Sequence, residues 1–188
     1  MAIRVERTSL SGVVRLFPEK ICDDRGYFAR VFSPHDLASA GIEFSSIESG
    51  ISLNRRKGTV RGLHWQRAPY AQAKVVACTR GRIFDVAVDL RPNSPTFGRW
   101  ESFELDADSM VRLYIDCGFA HGFQSLEDDT EVLYEMSNRY APESAATLRY
   151  NDPALAIPWP LKLADISDND ATAPMLKDLD LSPNGLHR

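Results

Sequence analysis

Short apolar runs separated by turn residues recur along the whole chain, which is the pattern of strands rather than of long helices. Residues 13–17 and 27–32 read as strands, and 74–79, 83–90, 100–105, 111–115, 119–126 and 131–137 continue the series. Within 83–90, Phe84, Val86 and Val88 alternate with Asp85, Ala87 and Asp89, the period-2 mark of a strand with one buried face. Arg80-Gly81-Arg82, between two such runs, is a hairpin signal. Ser33-Pro34-His35-Asp36 predicts a helix start, with Ser33 as cap and Pro34 at the first helical position, and Gly41 ends it after about two turns. Asn54-Arg55-Arg56-Lys57-Gly58 reads as an exposed polar turn. Pro, Asp and Asn become more frequent from Asp152 onward, so residues 161–188 read as an irregular or partly helical extension. Many strands at this spacing, without internal repeats or a boundary, predict one all-β domain over 1–188: a sandwich, jelly roll or barrel.

Composition narrows the function. The 188 residues carry 44% hydrophobic and 26% charged side chains, ordinary for a globular protein with a sizeable core. A net charge of −4 argues against general nucleic-acid binding but leaves room for a local basic site for one phosphorylated ligand. Cys22, Cys78 and Cys117 are far apart and lack CxxC spacing, which argues against a zinc knuckle or disulfide framework and fits a reducing compartment. The charged start, Met1-Ala2-Ile3-Arg4-Val5-Glu6-Arg7, is unlike a signal peptide, and no stretch approaches the roughly 20 apolar residues of a membrane span. A cytoplasmic location is expected, with no membrane and no nucleic-acid partner.

Two fragments carry candidate chemistry: Arg61-Gly62-Leu63-His64-Trp65-Gln66 and Gly118-Phe119-Ala120-His121-Gly122-Phe123. Each sets a histidine, the side chain that titrates nearest neutral pH, beside glycines that permit close backbone approach. From these residues alone a metal site and an acid/base site are both open. Taken singly, each candidate also has an ordinary reading. His64 can be a satisfied structural histidine, Tyr134 a core tyrosine, Lys74 a solvated charge and Asp170 one acid in a polar tail. His35 and His187 have no catalytic context.

The chain resembles the nucleotide-sugar 3,5-epimerase family, typified by dTDP-4-dehydrorhamnose 3,5-epimerase. The resemblance rests on Asp24-Arg25-Gly26-Tyr27-Phe28, on Gly58 through Gln66, on Gln72-Ala73-Lys74 and on Gly118 through Phe123. It continues through Tyr134, Tyr140-Ala141-Pro142 and Asn151-Asp152-Pro153 to Trp159-Pro160, in order and spacing from about Gly12 to Pro174. It implies a cupin-type β jelly roll, with its core at about 12–160, and a homodimer whose N-terminal segments reach the neighbouring subunit's site, carrying Arg25 and Phe28. Many cupins hold a metal with an HxH pair and a following glutamate. Here the second imidazole is replaced by Gln66 and the glutamate by Lys74, seven residues before Gly81. An ammonium has no lone pair to donate, so no metal or organic cofactor is expected.

The resemblance implies an isomerase that inverts a carbon beside the ketone of a nucleotide-linked 4-keto-6-deoxy sugar. His64 would be the base, Tyr134 the acid and Asp170 the carboxylate that orients His64. Lys74 and His121 would hold the C4 oxygen or nearby groups, Arg25 and Arg61 the diphosphate, and Tyr140 would stack on the nucleobase; Gln66 and Phe28 complete the substrate-binding set. Three family positions depart: Arg30 and Ala145 stand in place of glutamates and Asn169 in place of a lysine. They point to retained chemistry with altered ligand recognition, and Cys117 in place of a proline is assigned no role. The rival readings are a metal-dependent cupin enzyme and a non-catalytic nucleotide-sugar binding protein.

Overall fold

The computed structural model describes residues 2–181, so His187 and the end of the C-terminal extension lie outside the described residues. The strands run in the order β1 (Arg4–Arg7), β2 (Val13–Phe17), β3 (Lys20–Asp23), β4 (Gly26–Ala29), β5 (Glu48–Asn54), β6 (Val60–Gln66), β7 (Lys74–Arg80), β8 (Arg82–Asp89), β9 (Trp100–Asp106), β10 (Arg112–Ile115), β11 (Phe119–Ser125), β12 (Thr130–Met136) and β13 (Ala145–Thr147). Helix α1 (Pro34–Ser39) sits between β4 and β5, and α2 (Asp168–Thr172) follows β13. One sheet has the order β1-β2-β10-β7-β12-β5 and the other β13-β6-β11-β8-β9, while β3 and β4 form a separate hairpin. All named strand pairs are antiparallel. The two sheets face each other across a shared core that includes Val13, Val76, Leu113 and Val132 from one and Ile83, Phe103, Leu105 and Phe123 from the other. This is a cupin-type jelly roll.

Helix α1 forms as its sequence predicts. Ser33 Oγ accepts from the Asp36 amide at 3.2 Å, Pro34 takes the first turn, and Leu37 is fully buried on the outer face of the six-stranded sheet. The strand read at 27–32 is shorter, because β4 stops at Ala29. Phe32 instead packs edge-to-face on Phe44 with ring centroids 5.8 Å apart, which draws the chain off the strand path into α1.

Two strand readings are corrected. Arg80-Gly81-Arg82 is not a hairpin: β7 pairs only with β10 and β12, and β8 only with β9 and β11, so the chain crosses from one sheet to the other at Gly81. Gly81 has φ +74°, and a Cβ there would lie 2.6 Å from Thr130 Oγ1, so a glycine signal common to hairpins here marks a sheet corner. Strand β8 is also buried on both faces. Phe84, Val86 and Val88 face outward beneath Leu148, Leu155, Ile157 and Trp159 of the C-terminal segment. The polar-looking side carries Asp85 and Ala87 between the sheets, where Asp85 is 0% exposed. The alternation identifies the strand but not which face meets water, because a distant segment covers the apolar face.

Glycines bring the two histidine strands together. His64 on β6 lies opposite His121 on β11, and the register shifts between His121 and Phe123. A Cβ on Gly62 would lie 2.6 Å from Gly122 Cα, and one on Gly122 would lie 2.6 Å from Arg61 O. Both obstacles are backbone, so the strands themselves would have to part. Gly122→Ala is therefore expected to cost on the order of 3 kcal/mol, roughly 10 °C in Tm for a chain of this length. Thermal denaturation checks this, and an unchanged Tm would show that the strands can separate freely.

Candidate active site

Strand β6 divides its side chains between two environments. Leu63 and Trp65 pack outward with the C-terminal segment, and His64 projects from the opposite face. His64 lines a cavity of about 710 Å³ together with Gln72, Lys74, Met136, Tyr140 and Ala145. It also lines a second cavity of about 430 Å³ with Arg61, Ser167 and Asp170. The two open spaces thus meet at the imidazole, with Asn169 beside it in both.

Asp170 reaches His64 across 106 residues of sequence: its Oδ1 is 2.7 Å from His64 Nε2. Its Oδ2 accepts from the Gly62 amide at 3.1 Å, and its own amide donates to Ser167 Oγ, the cap of α2. Burial alone would raise this carboxyl, but the hydrogen bond and charge of His64, aided by Gly62 and Ser167, hold it below its ordinary value. The carboxylate is fixed on both oxygens, which orients the ring and its tautomer.

A second pair mirrors the first. His121 Nε2 lies 2.8 Å from Asp85 Oδ2, both side chains are buried, and the His121 ring meets Tyr134 edge-on at 6.2 Å. Asp85 is the residue that sequence reasoning missed. Its place in an alternating strand assigned it to solvent, and only the covered outer face reveals that it points inward. The detectable signal was its register, because Asp85 sits two residues before Ala87, the β8 partner of His121.

Lys74 and Tyr134 come from neighbouring strands β7 and β12, where Met136 pairs with Lys74 and Tyr134 with Val76. Burial pushes the Lys74 ammonium down to about 8, partly offset by the charge of Asp85. Its Nζ lies 3.4 Å from the His64 carbonyl. Burial pushes the Tyr134 phenol well above its usual value; a hydrogen bond with Ser52 acts the other way, and the charges of Asp85, which raises it, and Arg61, which lowers it, contribute less. A tyrosine so placed stays protonated and is suited to donate a proton; a lysine so placed keeps its charge at neutral pH and loses it near pH 8. Among the described residues no three His, Cys, Asp or Glu side chains converge as a metal-ligand group.

The remaining candidates differ in placement. Arg61 is held by Asn54, with Nε donating to Oδ1 at 2.7 Å, and lines the smaller cavity. Tyr140 lines the larger cavity and is 62% exposed. Gln66 also borders the larger cavity, but its amide is engaged with the backbone of Tyr70, Arg139 and Ala141. Arg25 and Phe28 sit on the β3–β4 hairpin and line neither cavity that contains His64. Arg25 pairs with Asp23 at 2.6 Å, and Phe28 is 61% exposed.

The model of the dTDP-4-dehydrorhamnose 3,5-epimerase family matches residues 7–178. The chain belongs to this family. The dTDP-4-dehydrorhamnose 3,5-epimerase of Sinorhizobium fredii is 41% identical over 175 residues, covering 93% of this chain and 90% of that one. The crystal structure of the Bacillus anthracis enzyme of that name, with TDP and PPi bound, superposes with a TM-score of 0.90 at 37% identity, covering 93% of this chain and 99% of that one. A 3'-monoepimerase from Streptomyces bikiniensis, in complex with dTDP-quinovose, superposes with a TM-score of 0.86 at 34% identity, covering 92% and 87%.

The three residues that the sequence pattern sets apart, Arg30, Ala145 and Asn169, fall in different places. Ala145 and Asn169 both line the cavity beside His64, and Asn169 Nδ2 donates to Thr147 Oγ1 at 3.2 Å. Thr147 is in turn the β13 partner of His64, so a neutral wall flanks the imidazole. Arg30 lies outside the cavities and approaches Asp36 at 3.6 Å. That carboxylate also accepts from the Ile3 amide, which ties the β3–β4 arm to the N-terminus.

Proposed function

We propose that this protein is an isomerase that epimerises C3, C5 or both in a nucleotide-linked 4-keto-6-deoxy sugar. The observation that carries the reading is the His64–Asp170 pair at 2.7 Å, opening on a cavity that Lys74 also lines. With Nε2–H donated to Asp170, the Nδ1 lone pair of His64 removes the proton beside the ketone. The C–H electrons move onto the C4 oxygen, where the ammonium of Lys74 and the His121 imidazole stabilise the enolate. Tyr134 returns a proton to the opposite face, collapsing the enolate to the inverted ketone; His64 then releases the abstracted proton to solvent and Tyr134 regains one from solvent, which restores both groups. None of these steps needs a redox partner.

Arg61 and Tyr140 support binding of a diphosphate and a nucleobase on the two sides of the sugar position. The exposed Ile21, Tyr27 and Phe28 on the β3–β4 hairpin favour a homodimer in which the hairpins are exchanged, each laying Arg25 and Phe28 against the other subunit's site. The reaction belongs to cytoplasmic deoxysugar or surface-polysaccharide biosynthesis. No described helix is long and apolar enough to cross a membrane. The neutral wall of Ala145 and Asn169 favours altered recognition of the nucleotide or the sugar. A thermal-shift panel of dTDP, UDP, CDP and GDP tests this, and clear preference for dTDP would count against altered base recognition.

Deuterium wash-in tests the reaction itself. The enzyme is incubated in heavy water with a panel of 4-keto-6-deoxyhexose nucleotides, and label is read at C3 and C5. Label at one carbon identifies a monoepimerase, and no label on any substrate would refute the function. In Tyr134→Phe, exchange at the carbon acid is expected to persist while net inversion falls by about 10²-fold, because only the acid on the opposite face is lost. Equal loss of both would assign Tyr134 to substrate binding.

A further inference from the structure

Gln66 lies 5% exposed at the end of β6, and each polar atom of its side chain meets a backbone group. Its Nε2 donates to Tyr70 O at 2.8 Å and to Arg139 O at 3.0 Å, and its Oε1 accepts from the Ala141 amide at 2.8 Å. Arg139 and Ala141 are the two neighbours of Tyr140. The amide therefore brackets Tyr140 from both sides in sequence, and these contacts fix which end of the amide is oxygen. The amide of Tyr140 itself donates to Glu48 Oε2 at 3.0 Å. Glu48 pairs with Met136 across β5 and β12, and Met136 with Lys74 across β12 and β7. The bracket is thus built on the same row of the sheet that places the lysine.

We infer that Gln66 is a positioning residue: it acts on the ligand through Tyr140, whose ring it holds in a binding-ready orientation, and makes no contact of its own. This rests on the proposed role of Tyr140 in nucleobase stacking. The physical case is one of pre-organisation. Tyr140 is 62% exposed, so little packing fixes its ring, and the loop's orientation is carried by hydrogen bonds at 139, 140 and 141. A loop already ordered before the ligand arrives does not lose conformational entropy on binding. Gln66→Glu keeps the acceptor for Ala141 but cannot donate to Tyr70 or Arg139, so two of the three contacts fail and the loop loosens.

The test is a double-mutant cycle with nucleoside diphosphates (dTDP, UDP, CDP and GDP), read by calorimetry on the full chain. Tyr140→Ala should weaken binding of the preferred diphosphate by about 10-fold or more, as loss of one base–aromatic stack does. Gln66→Glu should weaken it about 10-fold in the wild-type background and not at all in the Tyr140→Ala background, with faster hydrogen exchange at the Tyr140 amide. An equal loss in both backgrounds would overturn the inference, since Gln66 would then act independently of Tyr140. Glu48→Ala removes the separate contact to the Tyr140 amide from a half-exposed position and guards against a misfolded Gln66 variant; its smaller loss should likewise vanish without the Tyr140 ring, and a loss that persists overturns the bracket. If Tyr140→Ala binds as tightly as wild type, the stacking role itself fails, a result distinct from additivity.

Discussion

His64→Ala is expected to lower kcat by about 10³- to 10⁴-fold, the upper part of the range of about 10²- to 10⁴-fold that a positioned general base contributes, and to abolish deuterium wash-in at both C3 and C5. Loss of wash-in is the sharper readout, because exchange needs only proton removal and is blind to the later steps. The imidazole is 45% exposed and little packing is lost, but its removal leaves the buried Asp170 Oδ1 without its partner, so a modest stability loss of about 1–3 kcal/mol should accompany the activity loss. Asp170→Asn should follow with a smaller loss of about 10²-fold in kcat and little change in KM, because it leaves shape but removes the anion that orients the ring. Wild-type turnover in His64→Ala would refute the base assignment. The same pair sets a pH dependence. The Asp170 carboxyl sits below its ordinary value of 3.8 in the fold, so its stabilising contribution is complete above that value and is lost as pH falls through the lower, folded value.

Lys74→Met should separate activity from stability. The lysine is depressed to about 8 by burial, so the fold disfavours its charged form. The unfolded chain binds the extra proton up to about 10.5, so stability rises with pH between the folded and unfolded values, and the charge is a cost below about 8. Methionine fills similar volume without that charge. The variant should therefore melt at or above the wild-type temperature at pH 7, with the gain shrinking as pH rises. Activity should fall by about 10²- to 10³-fold, the loss typical of removing one group that stabilises a developing oxyanion. In wild type, kcat/KM should decline on the alkaline side near pH 8 as the ammonium loses its proton. Lower stability together with full activity would make Lys74 a structural residue.

Much of the fold was legible because strand formation is written locally. Strands β2, β9, β10, β11 and β12 follow apolar runs in the sequence to within a residue or two, and the cap at Ser33 needs only residues 33–36. Edge strands were less visible. Strand β5 reads Glu48-Ser49-Gly50-Ile51-Ser52-Leu53-Asn54, with exposed Ile51 and Leu53 and no continuous apolar run to mark it. The corner at Gly81 shows the limit of turn chemistry. A glycine with positive φ permits a sharp turn, but whether the next strand pairs back or crosses to the other sheet depends on what lies beside it, here Thr130.

The sequence by itself determined the glycine-flanked histidines, and its resemblance to the epimerase family singled out the lysine where many cupins place a metal-binding glutamate, the distant tyrosine and the late aspartate. A linear motif carries residue identity and order without any packing. Only the tertiary structure decided which atoms meet. It brought Asp170 to His64 Nε2, turned Asp85 inward onto His121 and engaged Gln66 with the backbone around Tyr140. These outcomes depend on which face of a strand a remote segment covers, and on hydrogen bonds between groups 36 to 108 residues apart. Local pattern cannot encode them, because the same alternation of polar and apolar side chains is compatible with either face being buried.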